Sequence, residues 1–197
     1  MMDSMTSAPR HKSEAHFEGV LIGGREKRVI RIVDYNPMWP VRFAAERARI
    51  ERALGERALH VDHIGSTSVP GMAAKPIIDI NVAVADPDDE FAYLADLEKG
   101  GYVLRVREPT HRMLRTPRRD VHVHICAAES AWEIRHLLFR DWLRVSGNDC
   151  RLYESAKRKL AQHDWDDTND YAAAKSNVIA EITGRAEQWA ADTRWEP

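Results

Sequence analysis

Two cysteines, Cys126 and Cys150, are too few for a dense disulfide scaffold, and their separation lacks the paired spacing of a zinc motif. No apolar run approaches the roughly 18 residues of a membrane-spanning helix, and no early apolar stretch resembles a signal peptide, so a cytoplasmic protein without membrane association is expected. Neither sign of charge dominates. With 29 basic and 31 acidic residues the net charge is −2, so no global field announces a nucleic-acid or membrane partner. Internal repeats and low-complexity segments are lacking, as is the Gly-x-x-x-x-Gly-Lys-Ser/Thr segment of a P-loop.

What is present suits one globular domain: 197 residues, 44% hydrophobic and 30% charged. Residues 1–24 are polar and aperiodic and read as a mobile arm; residues 25–197 read as the folded domain. Arg28 to Tyr35 alternates as a strand, and Pro40 to Leu54 carries Phe43, Ile50 and Leu54 near one face of a helix that Gly55 ends. Leu59 to Ile64 reads as a strand entering a Gly-Ser turn. From Ile77 to Ala85 the period is two, with Ile78, Ile80, Val82 and Val84 opposite Ile77, Asp79, Asn81 and Ala83. A helix with Phe91, Leu94 and Leu97 on its core face should follow, then strands over Tyr102 to Arg107, Arg112 to Thr116 and Val121 to Ile125. Helices over Glu129 to Ser146, Asp149 to His163 and Asn169 to Asp192 complete the chain.

The chemistry concentrates in residues 63–80. Gly65 permits close backbone approach, Ser66, Thr67 and Ser68 add hydroxyls, and successive amides of such a turn can converge on an anion. Asp79 follows on a strand that is apolar on its other face, where a desolvated carboxylate needs a partner: a metal, Lys75 or an arginine. Anion donors beside a carboxylate suit a Mg²⁺-bound nucleoside triphosphate, with Mn²⁺ as the other candidate ion. Asn81 shares the face of Asp79 and offers a neutral oxygen as second metal ligand. His122 and His124 share one face of a strand and could contact phosphate, make structural bonds, or join His63 and Asp79 in a transition-metal site. Arg105, Arg107, His111, Arg112, Arg115, Arg118 and Arg119 form a local basic patch without interleaved aromatics, which favours a solvated hairpin face over nucleic-acid binding. Arg140 with Arg144, and Tyr171 with Lys175, stand one helical turn apart, so each pair can face one ligand.

An ordered set of segments resembles the GrpB-like family of the nucleotidyltransferase superfamily: Val33-Asp34-Tyr35-Asn36-Pro37 with Trp39, His63 to Gly71, Ala74 to Ile80, Gly101-Tyr102, His122-Val123-His124, Phe139-Arg140-Asp141, and Tyr171 with Lys175. The resemblance implies an α/β (α+β) fold, a mixed β-sheet flanked by helices with a helical C-terminal part. It further implies that Gly65 and Ser66 hold a triphosphate while Asp79 holds a divalent metal, as an acceptor on a small molecule or protein displaces pyrophosphate. Thr67, Ser68, Lys75, Arg140 and Lys175 are then candidate phosphate contacts, and Asp79, His122 and His124 candidate catalytic groups. Asn81 stands where the superfamily carries a second acidic ligand. No acidic residue occupies 122–124, where a third is expected, so a catalytically reduced nucleotide-binding or protein-partner module is the alternative.

Overall fold

The computed structural model describes residues 19–197. The expected arm lies outside the described residues as far as residue 18; beyond it, Leu21 bridges Val106, and the Ile22 amide donates to the Arg105 carbonyl. Arg28 to Tyr35 does not form the expected strand. Only Val33 pairs, exchanging both backbone bonds with Ala74, while Val29 projects into solvent; alternation alone makes no strand without a neighbour to complete the ladder.

Helix α1, Met38–Leu54, buries Trp39, Ile50 and Leu54. Pro40 is tolerated because amides of the first turn have no intrahelical acceptor, and Gly55, at φ 57°, ends the helix by donating its N–H to the Glu51 carbonyl. Strand β1, His60–Ile64, runs into a 3-10 turn at Ser66–Ser68; β2 spans Ile78–Val84. The helix expected around Phe91 is shorter than its pattern: a 3-10 turn, Glu90–Ala92, leaves Phe91 fully exposed before α2, Leu94–Lys99, buries Leu97. Strands β3 (Val103–Glu108), β4 (His111–Arg115) and β5 (Val121–Ala127) precede α3 (Ala131–Val145) and α4 (Gly147–Leu160). The last expected helix is divided into α5, Thr168–Ala174, and α6, Ser176–Thr193, with Lys175 at the junction.

The five strands form one mixed sheet in the order β1-β2-β5-β4-β3, in which only β2 and β5 run parallel. One face, built from Ile78, Ile80, Val82, Val121, Val123 and Ile125, packs on α1 and α2. A second apolar cluster joins Val69 and Met72 to Leu143, Tyr153 and Ile182, so the C-terminal helices seat directly on the chain leaving the Gly-Ser turn. The polar side chains of β2 and β5 therefore face the C-terminal half of the molecule. The basic patch is consumed internally: Arg107 and Arg112 pair with Glu90, Arg112 also with Asp88, and Arg115 with Glu26.

Candidate functional site

The parallel register sets Asp79 beside His122 and Asn81 beside His124. Because residues two apart share a face, both histidines point the same way as Asp79. Asp79 Oδ1 lies 3.2 Å from His122 Nδ1 and 3.8 Å from His124 Nε2. Burial opposes the charge on Asp79, but hydrogen bonding and charge from the two histidines outweigh it and hold the carboxyl below the usual carboxylate range. Among the described residues these three form the group able to offer one ligand atom each to a single ion, all within 4.8 Å.

Asn81 is placed apart from this group. Fully buried beneath α3, it donates its amide to Glu133 Oε1 at 3.0 Å and accepts the Cys126 thiol at 3.0 Å, so both its polar ends are engaged in packing. His63 is excluded by register: it lies opposite Ile80, on the apolar face, stacked on Phe43 at 4.8 Å and bonded to Thr67 Oγ1 at 3.0 Å. Its burial pushes its pKa down to about 4.

Between β1 and the 3-10 turn, Gly65 adopts φ 67° and ψ −176°, a region open in practice only to glycine. A Cβ there would lie 2.6 Å from Asp79 Oδ2. The glycine thus lets the turn close over the carboxylate. Thr67 and Ser68 serve the turn itself: Thr67 Oγ1 donates to the Ile77 carbonyl and Ser68 Oγ to the Gly65 carbonyl. From α3, Arg144 donates twice to the Ser68 carbonyl, at 3.0 and 3.2 Å, while Arg140 reaches Asp62 and the His63 carbonyl and holds Asp141. Arg140 therefore braces the turn from behind.

A cavity of about 470 Å³ opens in front, lined by Gly65, Ser66, Asp79, His122, His124 and a group of cations. Lys75 Nζ stands 5.4 Å and Lys175 Nζ 4.9 Å from the centroid of the Tyr171 ring. Among the described residues, neither lysine has a carboxylate within ion-pair distance or a hydrogen-bond acceptor, and the Tyr171 hydroxyl is a buried polar atom without a partner. Lys157, buried on α4, donates to the Ala73 carbonyl at 2.7 Å. Burial, then repulsion from Lys175, pushes Lys75 down to about 8 and Lys157 to about 7; burial also lowers Lys175. Across the mouth, Glu26 accepts both Arg115 nitrogens, and Arg105 donates to the Ile22 and Gly24 carbonyls, fastening residues 21–26 over the site.

The structure thus brings together Gly65, Ser66, Lys75, Asp79, His122, His124 and Lys175 on one cavity, while Thr67, Ser68, Arg140 and Asn81 support the walls. Sequence reasoning passed over Lys157, whose signal was a lysine one turn beyond Tyr153 on the buried stripe of α4. It also gave no site role to His111, whose Nε2 lies 3.1 Å from His124 Nδ1.

A mixed sheet with a glycine-closed turn, a carboxylate on the adjacent strand and lysines without ion-pair partners among the described residues facing it defines an α/β (α+β) protein with cations and a carboxylate–histidine group on one cavity. The family described as GrpB protein matches residues 29–185, and the chain belongs to it. It is 45% identical over 191 residues to a UPF0157 protein of Halalkalibacterium halodurans, covering 94% of this chain and 97% of that one. A UPF0157 protein of Streptomyces coelicolor is 52% identical over 166 residues, covering 84% and 89%. The crystal structure of conserved protein GrpB from Enterococcus faecalis superposes with a TM-score of 0.72 at 35% identity, covering 81% of this chain and 99% of that one.

Proposed function

We propose that the protein binds a metal-bound nucleoside triphosphate in this cavity and transfers its nucleotidyl group to a hydroxyl, amine or phosphate of a small-molecule or protein acceptor. The observation that carries the reading is the placement of Lys75 and Lys175, without an ion-pair partner among the described residues, in the cavity that Asp79 enters. Partly buried ammonium groups balanced only by the Asp79 charge and the Tyr171 ring leave positive charge over, and a polyphosphate chain supplies several negative charges at once. Gly65 supports the same reading, because only a residue without a Cβ lets the turn approach the carboxylate that would share the cation. Asp79 would hold Mg²⁺ or Mn²⁺, which would neutralise phosphate charge and polarise the reacting phosphorus. Ser66, Lys75 and Lys175 would bind the phosphates and stabilise charge on departing pyrophosphate. A cytoplasmic location, where nucleoside triphosphates are plentiful, belongs to this reading; no helix among the described residues is long and apolar enough to cross a membrane.

Calorimetric titration of each nucleoside triphosphate, with Mg²⁺, Mn²⁺ or chelator, tests it. Metal-dependent binding is expected in the wild type and at least a tenfold loss in Asp79→Ala. Equal affinity in the variant, or no binding of any triphosphate, would overturn the assignment. A second reading, a nucleotide-binding module without transfer, is favoured by the engagement of Asn81 with Glu133 and Cys126, which leaves Asp79 without a second carboxylate on its strand. Nucleotide binding with no pyrophosphate released in the presence of acceptors would select it.

A further inference from the structure

The hydrogen bonds around His124 have a direction. His111 Nδ1 lies 3.2 Å from Glu108 Oε2, and His111 Nε2 lies 3.1 Å from His124 Nδ1. An ionised carboxylate only accepts, so His111 turns an Nδ1–H to Glu108, and its Nε2 can accept from His124 Nδ1. The tautomer of His124 that donates from Nδ1 to His111 leaves the lone pair of its Nε2 directed at Asp79 Oδ1, 3.8 Å away, where a cation can replace the proton of the metal-free site. A cation between these two atoms would be shared by both. His122 Nδ1 approaches the same oxygen at 3.2 Å. Ligand atoms at metal bond lengths of about 2.1 Å are separated by about 3.4 Å along a tetrahedral edge, so these spacings match a shared ion.

We infer that Asp79, His122 and His124 form a resident transition-metal site in which His111, backed by Glu108, fixes the tautomer and orientation of His124. Two imidazoles and one carboxylate with open positions suit first-row divalent ions such as Zn²⁺, Mn²⁺ or Fe²⁺; Mg²⁺ prefers oxygen ligands alone. A histidine ligand that passes its second N–H outward to another acceptor is the usual supporting arrangement. The rings are also held by packing: His111 stacks on His124 at 5.4 Å between centroids and on Trp132 at 5.0 Å, and Trp132 stacks on His136 at 3.8 Å. The inference narrows the cation of the proposed nucleotide site and rests on that reading only for the phosphate that would complete the ion's coordination.

The test titrates Co²⁺ into the metal-free full chain without nucleotide, followed by its visible absorption, with Zn²⁺, Mn²⁺ and Mg²⁺ as competitors. One Co²⁺ per chain is expected, displaced by stoichiometric Zn²⁺ and untouched by a large excess of Mg²⁺. His122→Ala and Asp79→Asn should abolish the absorption band. His111→Phe, which keeps an aromatic ring against His124 and Trp132, should weaken binding about 10- to 100-fold and alter the band while the melting temperature holds. No Co²⁺ binding by folded wild type, retention of the band in His122→Ala, or equal competition by Mg²⁺ would overturn the inference. Mg²⁺-nucleotide binding without Co²⁺ binding would sink this site alone, whereas Co²⁺ binding with no triphosphate binding would leave it standing and remove the nucleotide reading.

Discussion

Single residues decide how close the Gly-Ser turn comes to the carboxylate. Gly65 occupies a backbone region that costs other residues about 1–3 kcal/mol, and its missing Cβ makes room for Asp79 Oδ2. Gly65→Ala should therefore lower stability by about 1–3 kcal/mol in chemical unfolding and also displace Asp79. The expected readout is loss of metal-dependent triphosphate binding under conditions where circular dichroism shows the variant folded; unchanged binding would mean the turn relaxes without moving the carboxylate. That Gly65, Ser66 and Asp79 belong together was readable because their types are chemically pointed, a glycine before hydroxyls and a charge on an apolar strand, and they line one cavity. Asn81 and His63 were misjudged because residue type does not reveal partners. Asn81 bonds to a glutamate and a thiol 52 and 45 positions away, and His63 faces Phe43 across the other side of the sheet.

At the scale of elements, register and clamping set the geometry. Period-two alternation in β2 and β5 predicted which side chains share a face within each strand, but only the parallel pairing of Ile78 with Val121 sets Asp79 against His122. A slip of one residue would carry both histidines to the apolar face. Helix α3 then holds the turn through Arg144 and the Ser68 carbonyl, so the spacing of Arg140 and Arg144 marks a brace and not a ligand contact. Arg144→Ala should cost about 1 kcal/mol, since the guanidinium is partly exposed and its loss returns one carbonyl to water. Faster amide exchange should be confined to Ser68 and Val69, whose N–H groups donate to Gly65 and Ser66. Unchanged exchange there would show that the apolar cluster around Val69 and Met72 suffices to hold the turn. Elements missed or shortened in the sequence reading, Arg28 to Tyr35 and the helix at Phe91, are those whose pattern was sound but whose neighbours were lacking.

For the whole molecule, charge balance hides a local imbalance that only folding creates. Lys75, Lys157 and Lys175 stand 100 residues apart at the extremes of the set, yet they share one cavity with Asp79. Burial lowers all three pKa values, Lys75 to about 8 and Lys157 to about 7, so protonated Lys75 and Lys157 cost stability in full below those values, and that cost fades as pH rises toward the unfolded value of about 10.5. A bound polyphosphate prefers the protonated lysines and reverses the balance. Triphosphate affinity should accordingly be full near pH 6.5 and fall through pH 7 to 9, while the melting temperature without ligand does not fall between pH 7 and 8. A flat affinity profile would place the phosphates away from these lysines. The amino-acid sequence by itself determined the one-sided chemistry of β2, which follows from local periodicity, and the family resemblance with the fold class it implies, which rests on an ordered set of short segments along the chain. The tertiary structure alone decided that Asp79 meets two histidines and not Asn81, that Lys157 joins the cavity, and that Arg107, Arg112 and Arg115 of the patch pair with carboxylates while Arg105 holds backbone carbonyls. Each of these depends on distances between segments far apart in sequence, which residue order does not contain.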